Sequence, residues 1–137
     1  MQITDTLANL VSEALESTQT SGSLPAAGDV EVKIERPKMA EHGDFSTSLP
    51  LALARSMRMA PIQIAEAIAS AVPENEMVGK VEAAAPGFVN LTLSTRWLQS
   101  QINTVRTAGA NFGSTTTGIG QRTQVEFVSV NPTGPLH

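Results

Sequence analysis

The stretch that most constrains this chain runs from Lys80 to Leu93, KVEAAAPGFVNLTL. It holds enough alternating residues for two strands, broken by Pro86-Gly87, a pair that interrupts a ladder and bends the chain. In the second half Val89, Leu91 and Leu93 fall on one face, and Phe88, Asn90 and Thr92 on the other. A two-stranded hairpin alone is marginal in water, so other elements must cover its apolar side.

The rest of the pattern supplies them. Ile3, Leu7, Leu10, Val11, Ala14 and Leu15 recur at helical spacing and predict a helix from about residue 3 to 18. Val30 to Glu35 alternates and predicts a half-buried strand, with Val30, Val32 and Ile34 on its apolar side. Asp44 to Ser48 suits a short edge strand. Leu49 to Met59 reads as a helix that Pro61 ends, and the same proline opens a second helix to about Val72. A last helix is predicted from Thr95 to about Thr107, with Trp97, Leu98, Ile102 and Val105 on or near one face. Ala108 to Arg122 is rich in Gly and Thr and reads as a linker, after which Val125 opens a closing strand. This order predicts a two-layer α+β domain: an antiparallel sheet of about four strands, helices on one face, the other face open. The boundary is expected in the Gly/Thr loop, dividing the chain into 1–108 and 109–137.

Composition narrows the function classes. The chain has 137 residues, 41% of them hydrophobic, enough for one core. No apolar run approaches the ~18 residues that span a bilayer, and Met1-Gln2-Ile3-Thr4-Asp5 lacks the basic start of a signal peptide. There is no cysteine, as suits the cytosol, and two histidines, His42 and His137, are too few for a histidine metal cluster; no metal site is expected. A formal charge of −4 argues against a general nucleic-acid coat but leaves room for a small, selective RNA contact.

Phe88 is the most informative residue. The chain has one tryptophan, no tyrosine and four phenylalanines, so an aromatic on a polar strand face is unusual. A ring beside an amide is a way to hold an unpaired base, by stacking on the ring and hydrogen bonding at the base edge. The alternative is that a helix or loop covers Phe88 and that Asn90 caps a turn. Arg36, Lys38 and His42 share one loop with Glu35 and Glu41; they suit phosphates, or are simply a solvated mixed-charge loop. Gly43-Asp44 predicts a turn in which Asp44 bonds nearby backbone amides, rather than a catalytic acid. Glu126, Ser129 and Asn131 are polar residues in an apolar strand and its exit turn. Converging at a strand end, they would suit a cationic, hydrogen-bonding ligand; an exposed edge strand with a polar turn accounts for them equally well.

Three ordered stretches carry a resemblance. Val125 to His137, VEFVSVNPTGPLH, resembles the entry into the catalytic domain of bacterial-type class I arginyl-tRNA synthetases, where a His-x-Gly-His signature follows. Glu35-Arg36-Pro37-Lys38 through His42-Gly43-Asp44-Phe45 to Leu51-Ala52-Leu53-Ala54 looks like the family's N-terminal segment. Pro86-Gly87-Phe88-Val89-Asn90-Leu91 looks like its Gly-aromatic-x-Asn strand. Ser48 departs from the pattern, since many members carry Asn there. On this resemblance His137 is the first histidine of the signature, and the chain is expected to be a fragment of a longer enzyme.

The resemblance implies a division of labour. Residues 1–108 are expected to be the additional domain that contacts the D-loop at the tRNA elbow, with Phe88 and Asn90 meeting a D-loop base. Residues 109–137 are expected to be a linker and the truncated start of a Rossmann-type catalytic domain. Glu126, Ser129 and Asn131 are expected to bind the substrate arginine, and His137 to stabilise the phosphates of ATP, whose counter-ion is Mg. The full enzyme would activate arginine with ATP and attach it to its tRNA in the cytoplasm. The fragment itself is expected to be inactive, to bind no cofactor, and to have a last strand without parallel neighbours, disordered or pairing abnormally. A different class competes with this: a non-enzymatic α+β domain whose open sheet face binds protein.

Overall fold

The computed structural model describes residues 3–28, 30–129 and 134. A long first helix, α1 (Ile3–Thr20), precedes an extended connection and a single 3-10 turn (Ala40–His42). The short strand β1 (Phe45–Thr47) leads into α2 (Leu49–Met57) and α3 (Pro61–Ala71). The hairpin β2 (Val78–Ala84) and β3 (Phe88–Leu93) follows, then α4 (Thr95–Ala108) and a 3-10 turn (Gly109–Asn111).

The three strands form one antiparallel sheet in the order β1-β3-β2. The hairpin lies where the alternation placed it, joined through Ala85-Pro86-Gly87, with the Ala85–Pro86 peptide cis. Val89 and Leu91 are fully buried, on the face packed by α2 and α3. Helix α1 packs on α3 and buries Leu7, Val11 and Ala14, so the core continues from the sheet through one helix to the next. Each large aliphatic side chain buried in this way contributes about 1.5–3 kcal/mol.

Local chemistry explains the breaks. Pro61 occupies the first turn of α3, where a missing N–H costs nothing, and it holds Ala60 extended (φ −65°, ψ 133°). Helix α2 therefore closes earlier than Met59, at Met57, with Arg58 in the left-handed region and its N–H donated to the Ala54 carbonyl. The Asn75 Oδ1 accepts from the amides of Met77 (3.0 Å) and Val78 (2.8 Å) and so starts β2.

Three expectations need correction. Val30 to Glu35 is not a ladder strand. Its alternation is real, with Val32 and Ile34 against the core and Glu31, Lys33 and Glu35 exposed, but only Glu35 pairs, in an isolated bridge with Ser46. The reason is that β1 is three residues long and offers that segment too little edge, so the sheet has three strands among the described residues rather than about four. Helix α4 lies where it was expected but joins no layer: none of its residues is buried, and Leu98, Ile102 and Val105 are exposed. Val125 to Ser129, the described part of the expected closing strand, is exposed and pairs with no strand among the described residues. A strand exists only with a partner for its N–H and C=O groups.

Candidate nucleic-acid interface

Register assembles the open side of the sheet. Ser46 on β1 pairs with Asn90 on β3, which pairs with Glu82 on β2, and Glu35 bridges to the far side of Ser46. One row across four chain segments thus reads Glu35, Ser46, Asn90, Glu82. One pair further along, Phe88 stands opposite Ala84; on the other side, Thr92 stands opposite Lys80. Because side chains alternate between faces, all of these lie opposite the buried Val89 and Leu91.

A cavity of about 350 Å³ opens on this face. The sheet lines it with Ser46, Ala84, Phe88 and Asn90. The connection before β1 closes one side with Glu35, Arg36, Lys38 and His42. No helix covers Phe88: it is half-buried and stands apart from the hydrophobic core. Asn90 is 8% exposed, so its amide is held in the floor. None of the side-chain hydrogen bonds among the described residues uses that amide, yet no buried side-chain nitrogen or oxygen lacks a partner. The amide therefore reaches accessible space, and the space beside it is the cavity. It does not cap a turn.

Of the cations of this loop, Arg36 turns its guanidinium to the Phe45 ring, 5.3 Å from its centre, and Phe45 pairs with Leu91 on the helix-packed face of the sheet, opposite the cavity. Neither Arg36 nor Lys38 has an ion-pair partner among the described residues, whereas His42 Nε2 lies 4.0 Å from the Glu41 carboxylate. Sequence alone left these three between a phosphate contact and a solvated loop. The signal that would have joined them to Phe88 is the Glu35–Ser46 bridge, which no local pattern reveals.

Asp44 has a structural task, as its turn suggested, but not a local one. Its carboxylate accepts from the Leu93 amide at 2.8 Å, and its own N–H donates to the Leu91 carbonyl at 3.0 Å. Gly43 makes this possible. At φ 82° and ψ −164° it takes a backbone conformation that side chains exclude, and a Cβ there would stand 2.9 Å from the Leu91 carbonyl oxygen.

The second predicted group is described only in part. Glu126 and Ser129 lie in exposed, unpaired chain, and Asn131 and His137 lie outside the described residues. Among the described residues no group of three His, Cys, Asp or Glu is placed to hold a metal ion, and no helix is long and apolar enough to cross a membrane.

Comparison with known proteins places the chain in a family. The family model described as the arginyl tRNA synthetase N terminal domain matches residues 5–93. The arginine–tRNA ligase of Thioalkalivibrio sulfidiphilus is 42% identical over 133 residues, which is 97% of this chain and 23% of that protein. The arginine–tRNA ligase of Dehalococcoides mccartyi is 41% identical over 127 residues, 93% of this chain and again 23% of the relative. Among solved structures, the arginyl-tRNA synthetase of Thermus thermophilus superposes with a TM-score of 0.59 at 24% identity, covering 73% of this chain and 15% of that one. That likeness speaks for the fold. The chain spans about a quarter of the length of the curated relatives it matches.

Proposed function

This chain belongs to the arginyl-tRNA synthetase family, and from that premise we propose that residues 1–108 form a domain that holds the D-loop at the elbow of the tRNA for arginine. An unpaired D-loop base stacks on Phe88, and the Asn90 amide hydrogen-bonds its edge. The observation that carries this reading is the cavity itself: a half-buried ring and an amide without an intramolecular bond meet in a space of about 350 Å³ on an open sheet face. An aromatic face tolerates any base, and an amide supplies both a donor and an acceptor. The row Glu35, Ser46, Asn90, Glu82 is polar throughout, so hydrogen-bonding groups flank the ring on the same face.

In the full-length cytoplasmic ligase this domain brings tRNA to a reaction performed elsewhere: activation of arginine by ATP with its Mg counter-ion, then transfer to the tRNA. Residues 109–137 lead towards that catalytic domain, with Glu126, Ser129 and Asn131 serving the arginine and His137 the ATP phosphates. Asn131 and His137 lie outside the described residues, and no step of the ATP chemistry is assigned to the described ones.

The test is Phe88→Ala in the full-length ligase. Base stacking contributes about 1–3 kcal/mol, or roughly 5- to 150-fold in binding. The KM for tRNA rises within that range, while arginine activation at saturating tRNA stays within about twofold. Unchanged kinetics at every tRNA concentration would remove Phe88 from the interface.

A further inference from the structure

Helix α4 carries an apolar stripe that nothing in this domain covers. Its sequence, TRWLQSQINTVRTA, puts Leu98, Ile102 and Val105 on one side and Arg96, Asn103 and Thr107 round the other. The three apolar side chains are exposed, Ile102 to 61%, and no residue of the helix is buried. The ends are nevertheless well made. The Ser94 Oγ accepts from the Trp97 amide at 3.1 Å, and the Gly109 N–H donates to the Val105 carbonyl. A helix of 14 residues on its own is marginal in water. This one contains no Asp or Glu, so no ion pair within it adds support. Such a helix persists when its apolar stripe packs on another surface.

The length of the family's chains says where that surface lies. This chain covers 23% of its curated relatives. The match to the N-terminal domain ends at residue 93, just before α4 begins at Thr95. The helix is therefore the first element beyond that domain, on the way to the rest of the ligase. A second copy of the chain is a poorer cover. A stable interface takes about 800 Å² from each partner, more than one helical stripe presents. A domain tethered to α4 by a short segment needs less area, because the tether keeps it at high effective concentration.

We propose that the face of α4 formed by Leu98, Ile102 and Val105 docks on the catalytic domain of the full-length ligase and fixes the N-terminal domain against it. The docking does not depend on which residues meet the tRNA.

The experiment follows maleimide labelling of Ile102→Cys and Asn103→Cys in the full-length ligase without tRNA, read by mass spectrometry of the labelled peptide. Ile102→Cys is expected to react about tenfold more slowly than Asn103→Cys, and at the same rate in urea, where both thiols are free. Leu98→Cys and Val105→Cys, on the same face, show the same protection, so a folding defect in one variant does not decide the result. Photo-leucine incorporated at Leu98 cross-links within one chain, to the catalytic domain. Equal labelling on both faces of the helix leaves α4 uncovered and overturns the proposal. Protection that dilution removes, or a cross-link to a second copy or to another part of the ligase, gives the face a different occupant and overturns it as well.

Discussion

The carboxylate of Asp44 accepts a hydrogen bond from the backbone amide of Leu93 at 2.8 Å, across 49 residues of chain. Together with the Asp44 N–H donated to Leu91, it ties the end of the loop that carries Arg36 to His42 onto the end of β3. A hydrogen bond to a charged group contributes about 1.5–3 kcal/mol, less when exposed, as this one is. Asp44→Ala is expected to lower stability by about 1 kcal/mol, read as a fall of roughly 4–8 °C in the melting temperature of the domain. Asp44→Asn keeps an acceptor and loses about half as much. A melting temperature unchanged by Asp44→Ala would show that the bond is not formed in solution.

Gly87 is where the hairpin turn meets the helices. A Cβ there would collide with Cβ of Pro61 and stand 3.2 Å from the Leu51 side chain. The obstruction is a rigid ring at the start of α3, so the turn must move rather than the neighbour. Gly87→Ala is expected to cost about 2–3 kcal/mol, comparable to overpacking a core. Because Phe88 is the next residue, the full-length ligase is also expected to lose tRNA affinity. Denaturant unfolding and tRNA kinetics on the same variant check both effects.

The hairpin, its facing and all four helices were legible because each follows from local periodicity and proline placement. The cavity was legible only in halves. Phe88 and Asn90 share a face by parity, and that much a single strand reveals. Their meeting with the segment that carries Glu35 and Lys38 depends on two longer-range pairings, Ser46 with Asn90 and Glu35 with Ser46. For the same reason Val30 to Glu35 looked like a strand: alternation reports which side is buried, not whether a neighbouring strand is long enough to pair.

Ile64 and Ile102 test how far α4 belongs to the fold. Ile64 is fully buried on α3, the helix that packs on both the sheet and α1, whereas Ile102 is 61% exposed on α4. Ile64→Ala is expected to cost about 2–5 kcal/mol. Ile102→Ala should change stability by less than about 0.5 kcal/mol, since it removes no buried contact. Urea unfolding of both variants separates them. A large loss from Ile102→Ala would show that α4 packs against this domain in solution.

Asn90 separates stability from function. Its amide has no hydrogen bond among the described residues to lose, yet it is held in a floor only 8% exposed. A polar group in such a place stabilises nothing until a ligand pairs with it, and replacing it by an apolar side chain of similar size is near neutral. Asn90→Leu is therefore expected to leave thermal stability unchanged or raise it by up to about 1 kcal/mol. In the full-length ligase the same substitution leaves a base edge unpaired, and the KM for tRNA rises about tenfold, the equivalent of about 1.4 kcal/mol. A destabilised variant would mean that Asn90 serves the sheet, and its conspicuous place in the cavity would then be incidental. A stable variant with weakened tRNA use marks it as a residue kept for recognition.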